Sequence, residues 1–316
     1  MINVTDAVNK LIIDEALSSI EKKERDYSHF HPSEWEGCKR KIAYSFYESK
    51  GYIQVDSSTI KINPKTQRIF QNGHFMHDRW KDYLEKTSSL LGRWRCENWA
   101  VHLDQPRIFG LDSPIGCLKP KTCECGNSKF SYEEISVFDI ETLWGGHVDA
   151  VIDLELLHDF YDYKEEVPVD EKYLIVDFKT MNSFQFKKLE DPMTKHIIQM
   201  QIYMYITRIK NAKLIYENKD SQDTKEFLVK FDHGLMEIEK ARAIALKHLV
   251  TNASITGEWK LPDRAYANSD NYDCGYCKYK DDCWNEKHEV KRQNKLVTLE
   301  VSQSKKNVNT IGELDV

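Results

Sequence analysis

The sequence lacks several features that would fix its class at once. No uncharged apolar run approaches the roughly 18 residues that would cross a bilayer, and the first residues are acidic where a secretion signal is basic. It also contains no internal repeat, no GxGxxG dinucleotide fingerprint and no GxxxxGK[ST] phosphate loop. We therefore expect a cytoplasmic chain (host cytoplasm if viral) with no membrane contact and no motor activity of its own.

An excess of basic residues is also missing. Lys and Arg total 45 against 51 Asp and Glu, so the formal net charge is −6. This excludes a globally basic surface, but a local groove or bridging metal ions would still allow an anionic ligand. With 316 residues, 41% hydrophobic and 11% aromatic, the chain can bury a large core in one elaborated domain or two.

Hydrophobic periodicity predicts helices at the front of the chain and a sheet behind them. Helical spacing covers residues 5–24, 31–51, the segment after Asn72–Gly73, 192–210 and 235–250. Short runs rich in Val and Ile predict strands in SVFDI, WGGHVDAVIDLELL, KYLIVDFKTM, AKLIYENK and KEFLVKFD, the second and third forming a hairpin with an acidic loop. The predicted fold class is α/β, a central mixed β-sheet flanked by helices.

Two acidic residues interrupt apolar strands. Asp149 lies in GGHVDAVIDL and Asp177 in LIVDFKTM, where a carboxylate is costly unless it is paired or metal-bound. Lys179 follows on the same strand face as Asp177. Two carboxylates and a lysine suit phosphoryl chemistry with Mg²⁺ or Mn²⁺. A surface Asp–Lys pair on an edge strand is the alternative.

Two helical segments supply further candidates. His77 follows Gly73 by four residues, and we expect the glycine to let another backbone approach while the imidazole faces inward. Gln199 and Tyr203 lie one helical turn apart, as do Gln201 and Tyr205. Each pair alone is better explained as a core-edge feature than as a catalytic one.

Together, and in this order, the segments resemble the motifs of the PD-(D/E)XK nucleases of the RecB-like superfamily. The GxxxH, GxxD, (D/E)xK and QxxxY motifs match Gly73–His77, Gly146–Asp149, Asp177–Lys179 and Gln199–Tyr203. The resemblance implies a restriction-endonuclease-like core in which His77, Asp149, Asp177 and the Phe178 carbonyl bind the metals. It also implies that Lys179 is the catalytic lysine, with Gln199 and Tyr203 supporting the lysine and DNA.

The cysteines form two sets. Cys274, Cys277 and Cys283 are closely spaced but lack a fourth ligand, and Cys38 is the candidate. The segment from Ser33 to Tyr44 resembles the SxxxxCxRxxxY helix of the iron–sulfur branch, which includes CRISPR-associated iron–sulfur exonucleases and the AddB nuclease domain. The resemblance implies a [4Fe–4S] cluster on these four thiolates that clasps the N- and C-terminal helical parts, with zinc as the alternative metal.

The same helix carries the predicted DNA contacts. The segment CKRKIAYSFY mixes basic and aromatic side chains, as sites for single-stranded nucleic acid do, although a solvated helix face over the core would look the same. By the resemblance, Arg40 and Tyr44 lie near the DNA path.

The middle cysteines fall outside the family pattern. The stretch GCLKPKTCECGNSKF looks like half a zinc ribbon, and a structural Zn²⁺ on Cys96, Cys117, Cys123 and Cys125 competes with free thiols. The predicted organisation is an N-terminal helix over 1–30, a nuclease domain over 31–290 with a zinc-binding insertion over 94–130, and a polar, mobile tail over 291–316.

The sequence thus predicts a Mg²⁺- or Mn²⁺-dependent DNA exonuclease acting on single-stranded DNA or DNA ends. Such enzymes serve recombination, repair, or phage and CRISPR DNA processing, and any unwinding would come from a helicase or recombination partner. One competing class is a catalytically silent iron–sulfur module for DNA binding or assembly. An iron–sulfur oxidoreductase is a third class, but neither GxGxxG nor CxxxCxxC is present to support it.

Overall fold

The computed structural model describes residues 4–21, 25–53, 62–98, 100–103, 105–161, 171–256 and 260–284. The predicted tail over 291–316 lies outside them. The chain divides into two compact units. The first unit comprises 1–30, 34–63 and 240–316, and the second comprises 31–33 and 64–239.

The helices, in chain order, are α1 (Val4–Glu21), α2 (Lys39–Ser49), α3 (Pro64–Lys86), α4 (Leu154–Phe160), α5 (Ser183–Lys188), α6 (Thr194–Thr207), α7 (His233–Thr256), α8 (Tyr272–Gly275) and α9 (Lys280–Trp284). A 3-10 helix covers Pro32–Glu34. No described helix combines the length and the apolar character that a membrane span needs.

The strands are β1 (Leu90–Cys96), β2 (Ile108–Phe109), β3 (Cys117–Leu118), β4 (Phe130–Glu133), β5 (Ile135–Asp139), β6 (Trp144–Val148), β7 (Ala150–Asp153), β8 (Tyr173–Met181), β9 (Asn211–Asn218) and β10 (Thr224–Lys230). The main sheet has the order β10-β9-β8-β7-β1-β2, with β3 and β4 also paired to β1. Strands β5 and β6 form a separate hairpin. Strands β8 and β9 run parallel while β7 and β8 run antiparallel, so the sheet is mixed.

Alternate residues of β8 pack on opposite faces of the sheet. On one face, Ile175 belongs to a core cluster with Met200 and Met204 of α6. On the other face, Phe178 belongs to a cluster that includes Met76 of α3. The predicted central mixed sheet with flanking helices is confirmed.

The element boundaries differ from the prediction at three places. Helix α2 begins at Lys39, because residues 32–34 form a separate 3-10 turn and Cys38 is the N-cap. Helix α3 begins at Pro64 rather than after Gly73. The predicted strand over WGGHVDAVIDLELL is broken at Asp149 and ends at Asp153, whose side chain caps α4 by accepting two backbone N–H groups.

Candidate active site

Strand β8 carries an ion pair inside the second unit. Asp177 is 1% exposed, and its register partner on the parallel strand β9 is Leu214. The Nζ atom of Lys179 lies 2.6 Å from Asp177 Oδ2, as expected for residues two apart on one strand face. This Oδ2 atom is buried without a well-oriented hydrogen-bond donor.

Asp149 sits in the break between β6 and β7, next to the Ala150–Val176 register pair. Its Oδ2 atom accepts a 3.0 Å hydrogen bond from the Phe178 backbone N–H and lies 3.3 Å from Nδ1 of His77. The Tyr132 hydroxyl donates to the Asp149 carbonyl at 3.2 Å. The strand break thus places the second carboxylate beside β8 and beside the histidine of α3.

Helix α6 completes the cluster through Gln199. Its Nε2 atom donates to Asp177 Oδ1 at 3.1 Å. The side chain of Gln201 turns elsewhere, donating to the Lys230 carbonyl and accepting from the Asp232 N–H, both at 2.8 Å. Of the two possible registers, the one with Gln199 and Tyr203 therefore faces the carboxylates.

The two motif glycines differ in their surroundings. A Cβ atom on Gly146 would lie 3.1 Å from the Tyr203 hydroxyl and 3.2 Å from Pro32 Cδ, so this position is tightly packed. A Cβ atom on Gly73 would meet only Thr180 Oγ1, at 3.9 Å. The expected close approach of another backbone to Gly73 is therefore wrong within the described part of the chain.

The two carboxyl groups have opposite pKa shifts. Burial raises the pKa of Asp177 to about 6, against the opposing charge of Lys179. Burial also disfavours the carboxylate of Asp149, but the hydrogen bond and charge of His77 outweigh it and lower the pKa of Asp149. The same pairing raises the pKa of His77 despite burial. One carboxyl is thus held ionised while the other ionises reluctantly.

The lysine stays charged in this setting. Burial alone would lower the pKa of Lys179, but the charges of Asp177 and Asp149 raise it. Close by, burial and then the charge of Lys179 lower the pKa of His196 to about 3, and its Nδ1 atom lies 2.8 Å from the Tyr216 hydroxyl. The sequence analysis missed His196, because a single histidine at the start of a helix has no distinguishing pattern.

Glu217 of β9 was also missed, although it interrupts an apolar strand as Asp149 and Asp177 do. It is 5% exposed, accepts hydrogen bonds from Arg79 at 2.5 and 2.6 Å, and accepts one from Trp80 Nε1 at 2.8 Å. Trp80 in turn stacks on Phe178 with ring centroids 5.5 Å apart. These contacts fix α3 against the sheet and so fix the position of His77.

The donor set suits a hard divalent cation. His77 contacts Asp149, the charge of Asp177 acts on both of them, and the Phe178 carbonyl lies on the chain between Asp177 and Lys179. Carboxylate and carbonyl oxygens are the ligands that Mg²⁺ and Mn²⁺ prefer. Asp177 Oδ2 is buried and lies 2.6 Å from the Lys179 ammonium, so its surroundings already favour a positive charge beside it. These residues therefore fit a divalent metal ion.

The first unit gathers the four cysteines of the predicted clasp. Cys38 caps α2, while Cys274 and Cys283 lie in α8 and α9 and Cys277 lies between them. Burial and the nearby thiols of Cys38 and Cys283 raise the pKa of Cys274. Burial and the thiols of Cys38 and Cys274 do the same at Cys277.

Aromatic and ionic contacts hold the late cysteines against α2. The Tyr279 hydroxyl donates to Glu48 at 2.6 Å and accepts from the Ser45 hydroxyl at 3.1 Å, and Lys278 Nζ lies 2.6 Å from the same carboxylate. Tyr279 is completely buried. Helix α2, near the start of the chain, therefore packs against the segment that carries the three late cysteines. The four thiols of these two segments are the donor type that binds iron–sulfur clusters or zinc.

The predicted DNA contacts of α2 are placed differently from expectation. Tyr44 is 2% exposed, stacks on Tyr279 with ring centroids 5.2 Å apart, and donates to the Asp282 carbonyl at 3.3 Å. Arg40 donates to the Pro262 carbonyl at 3.0 Å. The Tyr44 ring is therefore covered by the C-terminal segment of this unit and is not exposed for base stacking, while the placement of Arg40 and Tyr44 near the DNA path stays a prediction.

Three of the four middle cysteines lie together, and a histidine takes the place of the fourth. Cys96, Cys123 and Cys125 lie together with His102, and the four ligand atoms are all within 4.8 Å of one another. Cys117 is not a member of this set, because it sits on β3, opposite Gly92 of β1. This arrangement corrects the predicted four-cysteine set and is able to hold a metal ion.

No protein-family model matches the chain, and no curated protein matches it. Among solved structures, the chain is similar to the protein SSO0001, with 16% identity and a TM-score of 0.40 over 88% of this chain and 94% of that one. It is also similar to LHK-Exo in complex with dAMP, with 10% identity and a TM-score of 0.41 over 72% of this chain and 90% of that one. A second structure of LHK-Exo, described as an alkaline exonuclease from Laribacter hongkongensis, has 16% identity and a TM-score of 0.28 over 39% of this chain and 60% of that one.

Proposed function

We propose that the chain is a Mg²⁺- or Mn²⁺-dependent DNA exonuclease acting on single-stranded DNA or DNA ends. The observation that carries the proposal is the cluster of Asp149, Asp177 and Lys179, in which the buried Asp177 Oδ2 lies 2.6 Å from Lys179 Nζ and Asp149 accepts from the Phe178 N–H. The family motifs supply the substrate class, because all four occur in order. The same motifs argue against the silent binding module, which would be expected to lose Asp177 or Lys179.

The chemistry of each side chain assigns it either to metal binding or to charge stabilisation. His77, Asp149, Asp177 and the Phe178 carbonyl would hold the cation, which when bound supplies charge neutralisation at the phosphate and activation of the attacking water. Lys179 is cationic and partly exposed, so its ammonium can orient the nucleophile and offset negative charge that develops on the phosphate.

Two further side chains position these groups. Gln199 fixes one oxygen of Asp177, which leaves the other oxygen beside Lys179. Burial, with the charges of Asp177 and Asp149, raises the pKa of Tyr203, so this residue stays a neutral phenol that packs beneath the β5–β6 hairpin through Gly146. Both residues therefore act on the geometry of the site rather than on proton transfer.

The first test is cleavage of end-labelled single- and double-stranded DNA with Mg²⁺ or Mn²⁺ under anaerobic conditions. Lys179→Ala should lose about 10²–10³-fold in rate, as expected when one preorganised donor to a charged transition state is removed. The matched control is Lys213→Ala on β9, whose lysine forms an exposed pair with Glu226. The labels report polarity and strand preference at the same time.

Each outcome of this test has a defined meaning. Equal activity in wild type and Lys179→Ala would show that this site does not catalyse the cleavage. Binding of DNA without cleavage in either metal would identify a binding or assembly module, or a nuclease that needs a partner such as a helicase. Internal fragments that appear before end products would show that the enzyme is an endonuclease rather than an exonuclease.

A second part of the proposal is a [4Fe–4S] cluster on Cys38, Cys274, Cys277 and Cys283. It is supported by the spacing of the cysteines and by the packing of their segments against each other. The cluster would be structural, linking residues more than 200 positions apart and so removing conformational entropy from the unfolded chain. The cluster would join Cys38, before α2, to the three cysteines near the C-terminal end of the first unit.

Cys283→Ala tests the cluster. We expect loss of iron, loss of visible absorbance, lower thermal stability and weaker DNA binding, because the clasp would open. Cys117→Ser is the control, since Cys117 lies in the other unit. Retained iron together with unchanged melting would refute the assignment, and zinc in place of iron and sulfide after anaerobic purification would identify a zinc clasp.

A further inference from the structure

A second set of soft ligands lies in the second unit, at the end of β1. Cys96 is the last residue of that strand, His102 follows in the next segment, and Cys123 with Cys125 forms a turn before β4. Cys96 and Cys123 are each 4% exposed. Three separate segments thus bring their ligand atoms to one point, all within 4.8 Å of one another.

Two of the six ligand separations match the edges of a tetrahedron around one zinc ion, and all six are within 4.8 Å. With zinc–sulfur bonds of about 2.3 Å and zinc–nitrogen bonds of about 2.05 Å, tetrahedral angles place two sulfurs about 3.8 Å apart and sulfur and nitrogen about 3.5 Å apart. The observed distances are 3.7 Å between the sulfurs of Cys96 and Cys125, and 3.5 Å between Cys123 Sγ and His102 Nε2. A disulfide would need a separation of about 2.05 Å, and these cysteines are free.

Amide donors surround the sulfurs. The Asn127 side chain donates to Cys96 Sγ at 3.3 Å, and the Asn98 side chain lies 3.6 Å from Cys125 Sγ. Donors of this kind stabilise thiolate rather than thiol, and they orient metal ligands in zinc sites. The site therefore has an organised outer shell as well as four ligands.

The turn that carries two of the ligands is tightly constrained. The Cys123 N–H donates to the Asn127 carbonyl and the Gly126 N–H donates to the Cys123 carbonyl, both at 2.8 Å. Gly126 has φ of 80°, a conformation that favours glycine. This closed turn holds Cys123 and Cys125 at the spacing of two ligands, although they are only two residues apart.

We propose that Cys96, His102, Cys123 and Cys125 bind one structural Zn²⁺. Three thiolates with one imidazole favour zinc over Mg²⁺ or Mn²⁺, and four protein ligands leave no open position for a substrate. The ion ties the segment after β1 to the turn before β4 and so fixes the end of β1, the strand that pairs with β7. The proposal is independent of the nuclease assignment.

The test measures zinc and iron in the purified full-length chain by mass spectrometry. Wild type should contain one zinc per chain, Cys125→Ser should lose it with unchanged iron, and Cys117→Ser should keep it. Cys117 is the matched control because it is a nearby cysteine outside the set.

A second variant keeps the proposal testable if Cys125→Ser does not fold. His102→Cys should retain zinc, and after exchange for Co²⁺ its visible spectrum should shift from that of three sulfurs and one nitrogen to that of four sulfurs. A wild-type chain without zinc would overturn the proposal. An unchanged cobalt spectrum in His102→Cys, or zinc that is lost in Cys117→Ser, would also overturn it.

Discussion

Replacing Asp177 with asparagine should stabilise the metal-free protein at neutral pH. The side chain is 1% exposed, and Lys179 approaches one of its oxygens without a well-oriented hydrogen bond. A carboxylate in this position loses hydration that its neighbours replace only in part. Asparagine keeps the shape but removes both the charge and its attraction to Lys179. The pH dependence of the stability difference, rather than its absolute value, therefore reports the cost of ionisation.

The magnitude follows from the shift in pKa. The pKa of Asp177 is raised from 3.8 to about 6, and one unit corresponds to about 1.4 kcal/mol. The folded state therefore binds the proton more tightly than the unfolded chain, and this contribution to stability is complete below pH 4 and lost as the pH rises through 6. The stability of Asp177→Asn relative to wild type should thus rise by about 2 kcal/mol between pH 4 and 7.

The assay is urea unfolding under anaerobic conditions with a chelator of divalent ions, repeated from pH 4 to 8. Only the difference between the two proteins is used, because titrating groups that do not interact with Asp177 affect both profiles equally. Exposed Asp112→Asn controls for removal of a charge in itself. Addition of Mn²⁺ should then stabilise wild type more than Asp177→Asn, because the ion binds the folded state.

Two results would refute this reasoning. A stability difference that is constant over the whole pH range would mean that Asp177 ionises without cost in the fold. Equal stabilisation of both proteins by Mn²⁺ would mean that Asp177 does not bind the cation. Either result would weaken the metal site on which the nuclease proposal depends.

Two further predictions concern the support of this site. Gly73→Ala should raise the free energy of unfolding by about 0.5–1 kcal/mol in urea titrations, because alanine favours a helix interior and the added methyl group meets no close neighbour; lower stability would show that the space is not open. Glu217→Gln should weaken the contacts of Arg79 and Trp80, lowering both the melting temperature and the DNA cleavage rate. Glu226→Gln, at an exposed pair on β10, is the matched control, and equal effects in the two variants would contradict a role for Glu217 in holding α3.

The sheet that carries the site was predictable where the hydrophobic period and the length of a segment indicated the same element. Strands β9 and β10 and helix α6 were predicted correctly, because their apolar runs are bounded by turns and have one clear period. Strand β1 was missed because Arg93 and Arg95 made its sequence look polar. In the structure these arginines alternate with buried Trp94 and Cys96, which is the pattern of a strand. Tertiary burial, rather than composition, decided the outcome there.

The candidate site was predictable in its chemistry and less so in its geometry. Acidic residues inside apolar strands identified Asp149 and Asp177, but the strand break that turns Asp149 toward Phe178 was not visible in the sequence. His102 was missed because it precedes Cys123 by 21 residues, with no spacing rule to link them. Only the path of the segment between β1 and β4 brings that imidazole to the cysteines.

Two departures from an optimally stable fold lie close together on β8 and α3. Asp177 is ionised at neutral pH at a cost in stability, and Gly73 lies in the middle of a 23-residue helix, where it costs about 1 kcal/mol relative to alanine. The nearest side chain to the space beside Gly73 is Thr180, which directly follows Lys179 in the chain. Neither feature improves packing, but Thr180 and Lys179 point to opposite faces of β8, so only the first feature belongs to the carboxylate–lysine cluster. A cation bound by Asp177 would offset the cost of its charge, which the folded chain alone does not explain.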